Sequence, residues 1–184
     1  VSAVVSQCHN ELRKIGRIWK NLTSAACHSA MRACVLSRLD YCNALLSNVG
    51  VVQMDRLQRV QNAAARIISL KKKDKHISPT LDSLHWLRVK KRVMFKILTL
   101  TYKCLQNIAP GYLGELIPLY RPARRLRSST STSLVSPHIR RKIGEGAFSS
   151  IAPHLWNELP QHLKTCKSID VFKKHLKTDL CSEW

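Results

Sequence analysis

The acidic residues are the first place to look for chemistry, and their spacing argues against it. The six aspartates stand singly at positions 40, 55, 74, 82, 170 and 179, whereas nucleotidyl transfer and most nuclease reactions need two or more carboxylates converging on Mg²⁺ ions. There is no Gly-rich phosphate loop with its lysine, and no serine in a nucleophile-elbow context. The chain is therefore expected to have no active site of its own and no cofactor.

Soft metal ligands fare no better. His162, Cys166, His175 and Cys181 form the one metal-like string. A zinc knuckle needs closer ligand pairs on tight turns, and His175 and Cys181 fall in one expected helix where their spacing points them to different sides. No metal site is expected. The seven cysteines, odd in number and without a Cys-x-x-Cys pair, read as small core residues in a reducing compartment.

The basic residues carry the signal. Lys plus Arg number 31 against 11 Asp plus Glu, a formal charge of +20, and a field of that size must be screened or matched by a polyanion. Nucleic acid is the first candidate partner and an anionic membrane the second. The excess is uneven: residues 1–69 carry +6, residues 70–127 carry +11 and residues 128–184 carry +3. Concentration in the middle of the chain favours a binding surface over general solubility.

The elements that must position these cations are helical. The 184 residues are 45% apolar, enough to bury a core. No apolar run is long enough for a membrane span. An intracellular chain is expected, and its start without Met inside a helix-like pattern, SQCHNELRKIGRIW, suggests a segment of something longer.

A helix is expected over 24–46, capped by Thr23 or Ser24, with Cys27, Met31, Cys34, Tyr41, Cys42 and Leu45 on one side. Arg38 falls on that stripe and must pair with a carboxylate, reach phosphate or snorkel out. A second helix, 53–70, buries Met54, Leu57, Val60, Ala64, Ile67 and Ile68. Arg59 and Arg66 stand opposite, two turns apart, either following a phosphate strand or simply solvating a face. Lys71, Lys72 and Lys73 then crowd a loop that favours a nearby anion.

Ser78 and Pro79 start a short helix as cap and first residue. Next comes the expected central helix, 89–105, apolar over most of its circumference. Its narrow polar stripe holds Arg92, Lys96, Thr99 and Lys103. Three cations on the one open face suggest a groove for phosphates, against the alternative of a solvated edge. Their replacement is not expected to unfold the chain.

Residues 110–117 read as a short helix, and 118–137 as a loop or arm rich in Arg and Ser, including Arg121, Arg124, Arg125 and Arg127. A short strand at Leu134–Ser136, a turn at Gly144–Gly146, a helix over 147–159 despite Pro153, and a last helix capped by Ser168 complete the pattern. Trp86, Tyr102, Tyr112 and Tyr120 lie in or beside the basic segment and could stack on bases, Trp86 and Tyr102 being better suited to the core. The expected fold is all-α: a compact helical domain around a central buried helix (1–117), a basic arm (118–146) and a small C-terminal helical portion (147–184) packing on the first.

Five blocks in order, SRLDYCNALL, VQNAAARII, LHWLRVKKRVMFKIL, APGYLGELI and SSIAPHLWNELP, resemble the region just downstream of the polymerase in LINE-type (non-LTR) retrotransposon reverse transcriptases of the jockey-like branch. The resemblance covers residues 5–180. It implies a thumb-like region and the helices that follow it, holding template RNA and primer DNA beside an upstream polymerase domain of the same polyprotein. The family's aromatic-Ala-Asp-Asp signature is absent from this chain, so no catalytic residue is implied. Where relatives usually have Pro after His-Trp-Leu, this chain has Arg88, which removes a helix-start proline and extends the basic stripe.

The sequence thus predicts a non-catalytic surface for RNA and for single-stranded or nicked DNA. The rival reading is a helical interaction scaffold, or a decayed or exapted fragment of an element, whose charges only keep it soluble. A membrane-surface role is disfavoured, because the cations centre on a mostly buried helix and an arm without large exposed apolar residues.

Overall fold

Val5, Cys8, Leu12 and Ile15 recur at helical spacing. In the computed structural model, which describes residues 1–71, 75–120, 133–140 and 142–182, they form the buried face of α1, Ser2–Ile18. Among the described residues every regular element is helical, and strand pairing is confined to one isolated antiparallel bridge, Leu119 to Leu134. The fold is all-α. None of the described helices is long and apolar enough to cross a membrane.

After α1, the Thr23 side chain accepts a hydrogen bond from the Ala26 N–H and starts α2, Ser24–Met31. A π turn follows at Arg32–Leu36, then α3, Ser37–Asp40. In that turn the Ser37 N–H bonds the Arg32 carbonyl, one residue farther back than in an α-helix. The extra residue rotates the downstream face by about 100°. Val35, Leu36 and Leu39 therefore go inward. Cys34 is left half-buried, while Tyr41, Cys42 and Leu45, expected inside, are exposed. The helix also stops earlier than expected, because Tyr41 is extended and Cys42 adopts a left-handed φ of 48°.

The contacts of the chain divide it into two units: Val1–Asn43 with Val49–Arg92, and Ala44–Asn48 with Val93–Trp184. The division falls inside a helix rather than at residue 117. In the first unit α4, Val51–Ser69, packs against α1, α2 and α5, Ser78–Ser83. Leu57, Val60, Ala64 and Ala65 are enclosed there, whereas Met54, Ile67 and Ile68 are only half-buried. Gln61 is fully buried, which apolar periodicity alone does not anticipate. Its Nε2 donates to the Leu87 carbonyl at 2.8 Å, while Gln58 Oε1 accepts from the Val89 N–H at 2.9 Å and Gln58 Nε2 donates to Gln61 Oε1. Two glutamines of α4 thereby satisfy backbone groups at the start of α6, Val89–Leu105.

The same end of α6 is tied a second time. Arg92 Nε donates to Asp40 Oδ1 at 2.8 Å and its Nη2 meets Asp40 Oδ2, a bidentate pair. Buried Asn43 adds its Nδ2 to Asp40 Oδ1 at 3.4 Å.

In the second unit the remainder of α6 buries Val93, Ile97, Leu98, Thr101 and Tyr102. The Tyr102 ring stacks on Phe172 of α11, Ile169–Ser182, at 4.4 Å, and Phe172 also meets Trp156 of α9, Phe148–Glu158. Such aromatic pairs contribute about 0.5–1.5 kcal/mol beyond buried area. This cluster draws the later part of α6 to the C-terminal helices. The Tyr102 hydroxyl donates to the Cys166 carbonyl, and burial raises its pKa.

Asn157 offers Oδ1 to the Leu134 N–H and Nδ2 to its carbonyl, supplying the pairing a neighbouring strand would give. Short helices α7, Gly111–Glu115, α8, Lys142–Glu145, and α10, Gln161–Lys164, fill the intervals. Gly146 lies so close to the Asn48 side chain that a Cβ would collide with it. Pro153 is accommodated within α9 as expected, and the Asp170 N–H reaches the Ser168 hydroxyl.

The Arg92–Asp40 pair makes Arg92 structural, contrary to the expectation that its replacement would leave folding untouched. Arg92→Gln should lower unfolding free energy by about 1.5–3 kcal/mol, the range for a charged hydrogen-bonded pair broken on one side. The loss should be strongly non-additive with that of Asp40→Asn in urea melts. A single variant as stable as the parent would remove the pair from the account.

Candidate nucleic-acid interface

The basic residues of the sequence analysis separate into groups with different surroundings. Arg59 stands exposed on α4 and Lys96 exposed on α6. Lys103 is half-buried, and Thr99, expected between them on the open face, is buried with its hydroxyl unpartnered among the described residues. The stripe on α6 is therefore no continuous open row: Arg92 faces Asp40, Thr99 faces inward, and Lys96 is its one fully exposed cation. Arg88 donates to the Ser78 hydroxyl at 2.7 Å, and Lys71 donates to the Thr80 hydroxyl at 2.8 Å. Lys72, Lys73, Arg121, Arg124, Arg125 and Arg127 lie outside the described residues.

Arg59 and Arg66 do not form a matched row either. Arg66 is half-buried, with its Nε enclosed and without a hydrogen-bond partner among the described residues. Of the aromatics, Trp86 and Tyr102 belong to the core, while Tyr112 and Tyr120 are exposed.

A denser cationic site lies in the first unit, on residues the motif reading passed over. Arg13, Lys14 and Arg17 of α1 and Arg38 of α3 line a cleft of about 410 Å³, together with Gln7, Asn10 and Glu11. The helical spacing of α1 creates it, since positions 10, 13, 14 and 17 share one face. The buried stripe at 5, 8, 12 and 15 was the available signal, because it turns exactly that cationic face outward into solvent.

Arg38 is brought to the cleft by the π turn, which takes it off the buried face. Its Nη1 donates to the Cys34 carbonyl at 3.0 Å and lies 3.4 Å from Glu11. Of the fates open to Arg38, the structure shows pairing with a carboxylate.

Glu11 is the one acid among the four cations. The Lys14 ammonium, hydrogen-bonded at 3.3 Å, is the largest cause holding its carboxyl below the ordinary value; desolvation opposes it, and the Arg38 guanidinium adds a further lowering. The cleft thus keeps a surplus of three positive charges lined by amide side chains that can also bond phosphate oxygens. No such surplus is needed to hold α1, whose apolar face is already covered.

Among the described residues no group of three or more His, Cys, Asp or Glu side chains is placed to hold a metal ion. Of the four soft ligands in the sequence, Cys166 and His175 approach to 3.9 Å. Cys8, Cys27 and Cys104 are buried, and burial raises their thiol pKa values. They are held as unreactive thiols.

Glu11→Gln should strengthen polyanion binding and steepen its salt dependence, because it removes the internal competitor for Lys14 and Arg38. The sign with pH agrees. A carboxyl whose folded pKa is lowered contributes its pairing above the ordinary carboxylate range and loses it as pH falls through the lowered value. As pH falls through the carboxylate range, where the other carboxylates also lose charge, affinity should therefore rise more in the parent than in Glu11→Gln. Fluorescence anisotropy of a labelled single strand across pH measures both, and equal curves for the two proteins would remove Glu11 from the site.

Comparison with protein-family models, with curated proteins and with solved structures yields no match to this chain.

Proposed function

We propose that this chain is a non-catalytic nucleic-acid-binding region that grips the sugar-phosphate backbone of single-stranded RNA or DNA, as the downstream helical part of a LINE-type retrotransposon reverse transcriptase would. The observation that carries the proposal is the cleft of Arg13, Lys14, Arg17 and Arg38 about a single carboxylate. Clustered guanidinium groups bind phosphate bidentately and release counterions when they do. Lys71, Arg59 and Lys96 add exposed or half-committed cations.

Blocks on which the resemblance rests meet one another in the fold. Asp40 and Asn43 of SRLDYCNALL, Gln61 of VQNAAARII and Leu87, Val89 and Arg92 of LHWLRVKKRVMFKIL meet through side-chain hydrogen bonds, and Gln58, just ahead of the second block, bonds the Val89 N–H. Residues distant in sequence that must fit one another give a reason for such blocks to occur together. On this reading the partners are RNA, single-stranded or nicked DNA and an upstream polymerase domain, and the chain performs no reaction itself.

A second use, as a protein-interaction surface, draws on Tyr41, Val51 and Val52, large apolar residues of the first unit exposed by 73% or more. Nucleic-acid binding is preferred because the charge excess has no part in that use.

Filter binding of single-stranded RNA and DNA over a salt series tests the proposal. Binding should show little sequence preference, and its logarithm should fall with the logarithm of salt by roughly 0.7 per phosphate contact. Replacing Arg13, Arg17 and Arg38 by Gln should flatten that slope. No binding at low salt, or affinity indifferent to salt, would favour the interaction scaffold.

A further inference from the structure

The first unit has a second cavity with a different lining. Gly16 and Trp19 at the end of α1, Arg66, Ile67 and Leu70 at the end of α4, and Lys71 just beyond it line an open hollow of about 720 Å³. That volume suits one small organic ligand. The lining is largely apolar, with two cations and, among these residues, no carboxylate.

Three details point to the ligand. Arg66 is half-buried in this lining, and no carboxylate among these residues neutralises its guanidinium. Lys71 uses one donor on Thr80 and has two more. Trp19 is half-buried, and Lys20 Nζ lies 6.0 Å from its ring centroid, so a third cation borders the aromatic surface. The combination asks for a flat apolar group bearing a negative charge. A Cβ at Gly16 would meet only Ile67 Cδ1, at an ordinary 3.9 Å, so the backbone accepts a side chain there.

We propose that this cavity seats one unpaired nucleotide of a bound single strand, its base against Trp19 and its phosphate on Arg66 and Lys71. The proposal rests on the nucleic-acid reading and adds to it a contact with a base. The cationic cleft holds backbone and cannot tell whether bases are present, whereas this cavity can. Stacking on an aromatic ring accepts every base, so the site adds affinity for single strands without sequence preference.

The test compares two fluorescent oligomers of equal length on the 184-residue chain: oligo(dT), and an abasic strand with the same phosphates. Oligo(dT) should bind more tightly, on the order of tenfold. Trp19→Leu should bring the ratio near one with an unchanged salt slope, and Trp19→Phe should retain it. Gly16→Leu, which intrudes on the hollow beside Ile67 and leaves Trp19 in place, gives an independent route to a reduced ratio should Trp19→Leu fold poorly.

Salt-dependent binding of both strands with a ratio of one in the parent overturns the cavity and leaves the backbone-binding reading standing. A ratio that survives in Gly16→Leu or in folded Trp19→Leu likewise overturns it. Binding of neither strand overturns both.

Discussion

The start of α6 is where the first unit is held together, and the holding is polar. A helix N-terminus leaves backbone N–H groups without partners. Here Gln58 takes the Val89 N–H, Gln61 bonds the Leu87 carbonyl ahead of the helix, and Asp40 clamps Arg92 one turn in. Three separated segments thereby fix one another's register. Apolar side chains such as Leu57, Val60 and Val89 supply the burial around the junction, but burial is indifferent to small rotations and the hydrogen bonds are not. α1 and the π turn pack against α4 in the same unit, and α1 and α3 together line the cleft at Arg13 and Arg38.

Net charge does not translate directly into binding surface. Arg92 is committed to Asp40, and Arg88 and Lys71 each bond a hydroxyl. Around Glu11 the opposite holds, because one carboxylate cannot neutralise four cations. What matters for a polyanion is the local surplus, and among the described residues it is densest on α1, in the segment whose overall charge is the lower of the first two. The middle of the chain carries more cations, yet several of its described ones have structural partners and others fall outside the described residues.

Much of the helical framework was legible from periodicity. The bounds of the helix at Val89–Leu105, the Thr23 cap, the helix through Pro153 and the last helix from Ser168 follow from apolar spacing and capping chemistry. The π turn was not legible, since a one-residue shift leaves the same residue types in the same order. It moved Arg38 and Tyr41 to new faces. Nor could an amphipathic projection reveal that Arg92 has a partner 52 residues away, that Thr99 turns inward, or that Gln61 is buried. These depend on which segments meet. The cationic face of α1 was within reach of the helical pattern, but it lies outside the most basic segment and carries no motif.

Binding by localised surplus charge is the central claim, and lysine acetylation footprinting with mass spectrometry tests it most directly. The full chain would be labelled with and without a saturating single-stranded oligomer. The account predicts protection of Lys14, Lys20 and Lys71, which border the cleft and the cavity, while exposed Lys167, Lys174 and Lys177 label equally in both states. Protection spread evenly over all of these lysines, or confined to the last three, would contradict it.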